Sequence, residues 1–188
     1  MKPRCAWVNH DPLYIDYHDH EWGRPLYDDQ KLFELLMLEG MQAGLSWYTI
    51  LKKRKAFREA FDDFLPEKIT TYNEDKISEL MKNKAIIRNR RKIEAVIQNA
   101  RVYQGIQSRG IPFSTYIWSF TNGEPLVFYR KTIDDVPVMT PESELMSKQL
   151  KQAGMKFVGP TICYAFMQAA GLVNDHTADC FLSPRPSP

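Results

Sequence analysis

Almost every apolar stretch of this chain repeats with the 3.6-residue period of a helix, and almost none alternates as a strand would. Asp29 to Gln42 carries Leu32, Phe33, Leu35, Leu36 and Leu38, with Asp28 or Asp29 available as N-cap. Ser46 to Phe61 keeps Trp47, Ile50, Leu51, Phe57 and Phe61 on one side and Lys52, Lys53 and Lys55 away from it. Pro66 opens a short turn of helix. Glu74 to Lys82 groups Ile77, Leu80 and Met81. Asn89 to Arg109 aligns Ile93, Val96, Ile97, Ala100, Tyr103 and Ile106 before Gly110 stops it. Phe113 to Phe120 is a short aromatic helix. Thr140-Pro141-Glu142 supplies an N-cap, a first-turn proline and a first-turn acid for a helix running to Ala153. Thr161 to Ala170 is apolar on most faces and is expected to be buried. Leu126-Val127-Phe128-Tyr129, the one extended candidate, has no alternating partner and reads as loop. The fold class is all-α, with about eight helices. The expected organisation is one helical domain over 1–182, or two lobes sharing its core, and a disordered Pro/Ser tail at 183–188.

The two ends carry matching metal-ligand types, Cys5 with His18 and His176 with Cys180. The second pair is spaced i, i+4, which on a helix sends both side chains from one face. Two thiolates and two imidazoles suit a closed tetrahedral zinc, a site that holds structure and does no chemistry. Convergence would tie the first twenty or so residues to the last twenty, where chains normally fray. The competing reading is two unrelated pairs, each a buried thiol and a surface imidazole.

Gly154-Met155-Lys156-Phe157-Val158-Gly159-Pro160 joins two helices through a turn bounded by glycines. Gly159-Pro160-Thr161 opens the second helix, so backbone N–H groups and a positive helix end lie at the turn, with Lys156 beside them. That suits a phosphate. An ordinary helix–helix connection with a glycine C-cap fits as well. Two basic clusters, Lys52-Lys53-Arg54-Lys55 and Arg88-Asn89-Arg90-Arg91-Lys92, sit at helix faces; solvated faces are their usual explanation and DNA contact the alternative.

Trp7, Tyr14, Tyr17, Trp22, Trp47 and Tyr48 crowd the first fifty residues, and Glu39 ends an apolar run among them. A carboxylate in apolar surroundings is costly unless paired. Either Glu39 exits to solvent as its helix ends and the aromatics are core, or an aromatic pocket holds one acid at its edge. Such a pocket suits a flat cationic ring, whose charge is drawn to aromatic faces and whose N–H groups donate to the carboxylate.

Composition narrows the partners. A net charge of +2 gives no bulk attraction for a polyanion, so any such surface must be local. Three cysteines do not make a disulfide framework and fit a reducing cytoplasm. No signal peptide or membrane-spanning run is present, and no obligate protein partner is implied.

Several motifs together resemble the bacterial DNA-3-methyladenine glycosylase I family: Cys5-Ala6-Trp7, Asp11-Pro12-Leu13-Tyr14-Ile15, Tyr17-His18-Asp19-His20-Glu21-Trp22-Gly23, Glu39-Gly40 with Gln42-Ala43-Gly44-Leu45-Ser46-Trp47, Lys156-Phe157-Val158-Gly159-Pro160-Thr161-Ile162-Cys163-Tyr164, and Gly171-Leu172-Val173-Asn174-Asp175-His176 with Cys180. The resemblance runs in order from Cys5 to Cys180. It implies a helix-hairpin-helix glycosylase fold, with a structural zinc on Cys5, His18, His176 and Cys180. It implies that Glu39 hydrogen-bonds a methylated base, that Tyr17 and Trp47 line the pocket, and that Trp7, Tyr14 and Trp22 lie near it. It assigns the turn with Gly154, Lys156, Gly159 and Thr161 to DNA phosphates. Many relatives in the wider superfamily use an aspartate downstream of the hairpin; Asp175 is the nearest candidate here, an alternative to Glu39.

The expected reaction is hydrolytic removal of 3-methyladenine from alkylated double-stranded DNA in a bacterial cytoplasm, after the base is flipped out of the stack. Leu45 or Gln42 is expected to fill the gap. Lyase-type relatives use a lysine beyond the hairpin, and Phe157 to Cys180 contains none, so strand cleavage is not expected. The alternative from another class is a noncatalytic DNA-binding module on the same hairpin and zinc.

Overall fold

A computed structural model describes residues 2–184 of the chain. Nine α-helices and one two-stranded ribbon are found among the described residues. The first, α1 (Pro12–His20), has no counterpart in the periodic reading, because its aromatic and charged residues form no apolar stripe. Its start was nonetheless encoded: Asp11 accepts from the Leu13 N–H and Pro12 occupies the first turn. α2 (Asp29–Gln42) is capped by Asp28 through the Lys31 N–H, and α3 (Trp47–Ala60) by Ser46 through the Thr49 N–H. α4 (Pro66–Ile69) and α5 (Glu74–Lys82) follow, the latter capped by Asn73. α6 (Arg90–Gln107) is the longest, capped by Asn89, and α7 (Phe113–Trp118) continues into a 3₁₀ turn. β1 (Leu126–Val127) precedes α8 (Pro141–Gln152), which starts in a capping box between Thr140 and Ser143. α9 (Pro160–Ala169) begins at Gly159, and β2 (Val173–Asn174) closes the series.

The segment read as loop thus pairs: Leu126 lies opposite Val173 and Val127 opposite Asn174, in parallel. The partner strand is remote in sequence and the ladder only two residues long, so no alternation could announce it. A second departure concerns His176 and Cys180. Their i, i+4 spacing falls in a turn after β2 and not on a helix, with Thr177 bridged to Arg130 and the Cys180 N–H donating to the Thr177 carbonyl.

α2 is the central helix. It packs against α3, α6, α7 and α9, and Leu32, Phe33, Leu36, Met37 and Met41 are buried along it. Each large apolar side chain so buried contributes roughly 1.5–3 kcal/mol. Helices α8 and α9 pack on one another across the 153–159 turn. A smaller cluster joins the chain ends, uniting Cys5, Tyr17, Trp22, Leu51, Ala169 and Cys180. The same junction is sewn by backbone: Gly23 N–H donates to the Gln168 carbonyl and Leu26 N–H to that of Ala170. Gly171, at φ +71°, lies so close to Arg24 that an added Cβ would fall 2.2 Å from its carbonyl carbon. Of the expected tail, Ser183 is half-buried and donates its N–H to the Cys180 carbonyl, Pro184 is half-buried, and 185–188 lie outside the described residues.

Candidate functional site

The end of α2 meets α1, α3 and α9 around a cavity of about 220 Å³. Trp7, Tyr14, Tyr17, Trp22, Glu39, Gln42 and Trp47 line it, so the aromatic residues singled out in the sequence do converge on the acid. Their rings brace one another: Tyr17 and Trp47 centroids are 5.5 Å apart, Trp7 and Trp22 5.1 Å, Trp7 and Tyr14 5.1 Å. Ile133, Val136, Ala165, Gln168 and Asp175 complete the wall. Ala165 and Gln168 are three apart on α9, a spacing that could have put them on one face with a pocket in view. Ile133 and Val136 come from irregular chain and carry no such signal.

Glu39 does not leave for solvent as its helix ends. Its side chain is enclosed, the residue being 3% exposed, and Oε2 has no hydrogen-bond partner among the described residues. Burial pushes its carboxyl up to about 8, so at neutral pH the free protein holds it mostly protonated. The indole N–H of Trp47 is likewise buried without a partner. Native proteins rarely leave such atoms unsatisfied, and two on residues lining one aromatic cavity suit a flat molecule with polar edges. Burial, and then the neighbouring Glu39, push the Tyr17 phenol well above its ordinary value, so it stays a donor.

Asp175, which also lines the cavity, offers a contrast. It is fully buried, and its oxygens are engaged by Arg130 Nε at 2.8 Å, Gln168 Nε2 at 2.9 Å and the Tyr164 hydroxyl. Glu39 is therefore the carboxyl of this cavity that remains open to a ligand's donors.

Behind the aromatic wall, Cys5 Sγ, a ring nitrogen of His18 and Cys180 Sγ lie within 4.8 Å of one another, all buried. His18 Nε2 is 3.4 Å from Cys180 Sγ while its Nδ1 is held by Asp19 at 2.8 Å, and Arg4 clamps Asp19 in turn. His176 stands beside this trio, its ring 5.2 Å from that of His18. Asn174 holds its Nδ1 at 2.9 Å, and its Nε2 is buried without a partner. Both imidazoles are thus oriented at Nδ1, with Nε2 of His18 turned to the Cys180 sulfur and that of His176 unpartnered, the orientation that second-shell partners give to metal-binding histidines. Burial holds His176 down to about 4, so it is neutral and able to ligate. The hydrogen bond from Cys5, and after it that from His18, hold the Cys180 thiol below its ordinary value and favour the thiolate. The donor set fits a zinc ion.

On the outer surface, the 154–159 turn adjoins the end of α2. Lys156 and Thr161 are exposed, and Gly154 and Gly159 are half-exposed. Gly159 has an ordinary φ of −66°, and a Cβ added there would meet nothing within 4 Å. Nothing inside the chain requires glycine at that position. Leu45, 42% exposed, projects from the loop between α2 and α3, near the pocket-lining Gln42. The basic clusters are largely consumed internally. Arg54 pairs with Glu21, Arg90 with Glu74 and Glu94, and Lys92 is buried.

A family model described as methyladenine glycosylase matches residues 7–183. Among curated proteins, the chain is 50% identical to DNA-3-methyladenine glycosylase 1 of Escherichia coli, covering 98% of this chain and 99% of that one. It is also 50% identical to DNA-3-methyladenine glycosylase of Haemophilus influenzae, over 96% and 97%. Among solved structures, a 3-methyladenine DNA glycosylase I superposes with TM-score 0.95 at 50% identity, over 96% of this chain and all 100% of that one. A Staphylococcus aureus glycosylase studied for 3-methyladenine recognition superposes at 0.91 with 43% identity, covering 98% of both chains.

Proposed function

We infer that this chain, which belongs to the methyladenine glycosylase family, is a base-excision repair enzyme that removes 3-methyladenine from alkylated DNA. The observation that carries the reading at the level of residues is the pair of unpartnered buried polar atoms, Glu39 Oε2 and Trp47 Nε1, in one aromatic cavity. No helix among the described residues is long and apolar enough to cross a membrane.

The chemistry follows from the substrate. 3-Methyladenine in DNA is cationic, and its glycosidic bond is weakened because the base leaves neutral. The bond between C1′ and the base nitrogen breaks with its electron pair going to the base. Positive charge passes to an oxocarbenium-like sugar. Water then adds at C1′ and releases a proton. Flipping the base out of the stack costs about a few kcal/mol. Tyr17 and Trp47 offer stacking faces, and Trp7, Tyr14 and Trp22 back them. Arrival of a cationic ring favours the carboxylate form of Glu39, which then accepts hydrogen bonds from the base and faces net positive charge throughout bond breakage. Unmethylated adenine brings no such charge and leaves Glu39 with its ionisation unrewarded. Leu45 or Gln42 occupies the vacated stack. The turn of Gly154, Lys156, Gly159 and Thr161 acts as the hairpin of a helix-hairpin-helix element, gripping phosphate with N–H groups at the start of α9. What supports this is the bare surface around Gly159 and the exposed Lys156 beside it.

Zinc on Cys5, His18, His176 and Cys180 would be structural, supplying no chemistry and fastening the two chain ends. Its support is the clustering of three donors and the orphaned Nε2 of the fourth. A noncatalytic module would have no use for an enclosed receptor of this kind. The test is release of free 3-methyladenine from a methylated duplex: wild-type protein should release it and leave intact strands bearing abasic sites. No covalent adduct should be trapped by borohydride, since no lysine lies between Phe157 and Cys180.

A further inference from the structure

Lys92 reads in the sequence as one more member of a basic cluster, yet only 6% of it is exposed. Its ammonium reaches across from α6 to the end of α2. There it donates to the Met41 carbonyl at 2.9 Å and the Ala43 carbonyl at 2.7 Å. No carboxylate is among its bonded partners, and burial lowers its pKa from the ordinary value. A buried ammonium without a counter-ion is costly to keep, so its position calls for a reason. Part of the reason is local. α2 has no basic residue in its last turn, and the turn after it, with Gly44 at φ +80°, bonds the Gly40 and Gln42 carbonyls through the Ala43 and Leu45 N–H groups but not the carbonyls of Met41 and Ala43. Lys92 supplies donors and a matching charge from a neighbouring helix.

Two further observations go beyond helix capping. The carbonyls that Lys92 holds flank Gln42, which lines the cavity, and lead directly into the loop bearing Leu45. Seven residues along the same face of α6, or about 10 Å of helix, Asn99 clasps the other surface element. Its Nδ2 donates to the Lys156 carbonyl at 3.0 Å and its Oδ1 accepts the Lys156 N–H at 2.8 Å. The gap between the two elements is tight, since a Cβ on Gly40 would lie 3.3 Å from the Phe157 carbonyl oxygen. One rigid helix therefore sets the offset between the loop that faces the evicted base and the turn that faces the phosphates.

We propose that Lys92 is a positioning residue for base excision, acting with Asn99 to hold the 42–45 loop in register with the 154–159 turn. This rests on the excision reading above. The proposal separates two abilities that a collapse of the pocket would lose together. Binding of free 3-methyladenine needs only the cavity; excision from a duplex needs loop and turn aligned on one backbone.

The experiment measures single-turnover excision from a duplex carrying 3-methyladenine, and Kd for the free base, for wild type, Lys92→Met and Lys92→Arg. Lys92→Met keeps the stem and removes the donors. Its duplex excision should fall on the order of 10- to 100-fold, as for a small misplacement of reacting groups, with free-base affinity held within about twofold. Lys92→Arg, which restores donors and charge, should recover most of the loss. Unchanged excision by Lys92→Met, or equal losses of excision and free-base affinity, would overturn the proposal. Should Lys92→Met not accumulate folded, Asn99→Ala cuts the second clasp and is read by the same two measurements. Wild-type protein that binds the duplex but releases no base rejects the excision reading itself, a result distinct from any ranking of the variants.

Discussion

The aromatic cavity and the Cys/His cluster stand back to back and share a wall. Trp7 lies 5.2 Å from His18 and Trp22 lies 4.7 Å from His176, centroid to centroid, while both tryptophans also line the cavity. Each site contains buried polar atoms without partners, but the atoms are prepared differently. In the cluster every imidazole is aimed by a neighbour, His18 by Asp19 and His176 by Asn174, and three of the four donors, on Cys5, His18 and Cys180, converge. In the cavity Glu39 and Trp47 are aimed by packing alone, and burial leaves Glu39 mostly uncharged until a ligand arrives. The first arrangement fits a permanent occupant that becomes part of the structure. The second fits a transient one whose charge decides whether the site responds. Buried unsatisfied groups are thus informative only together with what surrounds them.

The largest expected effect falls on the cluster. Cys180→Ala, or removal of metal by a chelator, should release both chain ends and lower the melting temperature on the order of 10 °C or more. Excision per folded molecule should change far less. An unchanged melting temperature, or purified protein without zinc, would remove the distinction between a permanent and a transient site.

Glu39→Gln tests the other half by moving stability and function in opposite directions. The folded carboxyl is held up to about 8 against an ordinary 4.5, so the folded state binds more protons than the unfolded one between those values. Wild-type stability therefore declines as pH rises through that window and levels off above it. The glutamine variant lacks this decline. It should be more stable than wild type above pH 8, by up to on the order of 4 kcal/mol, with the advantage vanishing towards pH 5. Excision of 3-methyladenine should drop at the same time. Melting curves for both proteins across pH, beside excision rates, read the two effects; parallel pH profiles would mean that Glu39 is ionised or solvated in the free protein.

Trp47→Ala should weaken free-base binding by about 1–3 kcal/mol, the worth of one stacking face, with a smaller loss of melting temperature because the ring is only half-buried. Unfolding of the variant would make Trp47 core and not receptor. The smallest effects lie outside both sites. Lys156→Ala should reduce the salt dependence of DNA binding by roughly one unit of slope. Gly159→Val should weaken DNA binding at unchanged melting temperature, since its side chain would enter open space. Normal DNA affinity in both variants would detach the turn from phosphate recognition.

The helices that bury a stripe were legible in the sequence: α2 and α5 span the expected residues, α3 and α8 differ from expectation by their caps, and α6 and α9 by one or two residues at each end. α1 was not, because its residues face the cavity, the cluster and solvent in turn and so repeat with no single period. The aromatic half of the cavity was legible because it lies in one crowded stretch. Ile133 and Val136 were not, since they come from irregular chain after β1, whose two-residue pairing with β2 no local pattern encodes. Lys92 was hidden by composition, since a lysine within a basic run reads as solvated. Yet Lys92, Val96 and Asn99 are spaced as one helix face, and that face is buried.

The joining of residues near 5 to residues near 180 also governs when the chain becomes active. The cavity takes walls from Trp7, Tyr14 and Trp22 and from Gln168 and Asp175, so it is not finished until segments about 150 residues apart have met. Contacts so remote in sequence carry a large loop-closure cost that must be met before they stabilise the chain. A chain lacking the residues around 168–175 would carry α2, α3 and α6 but only part of the wall around Glu39. The receptor is thus a product of tertiary closure and not of any one helix.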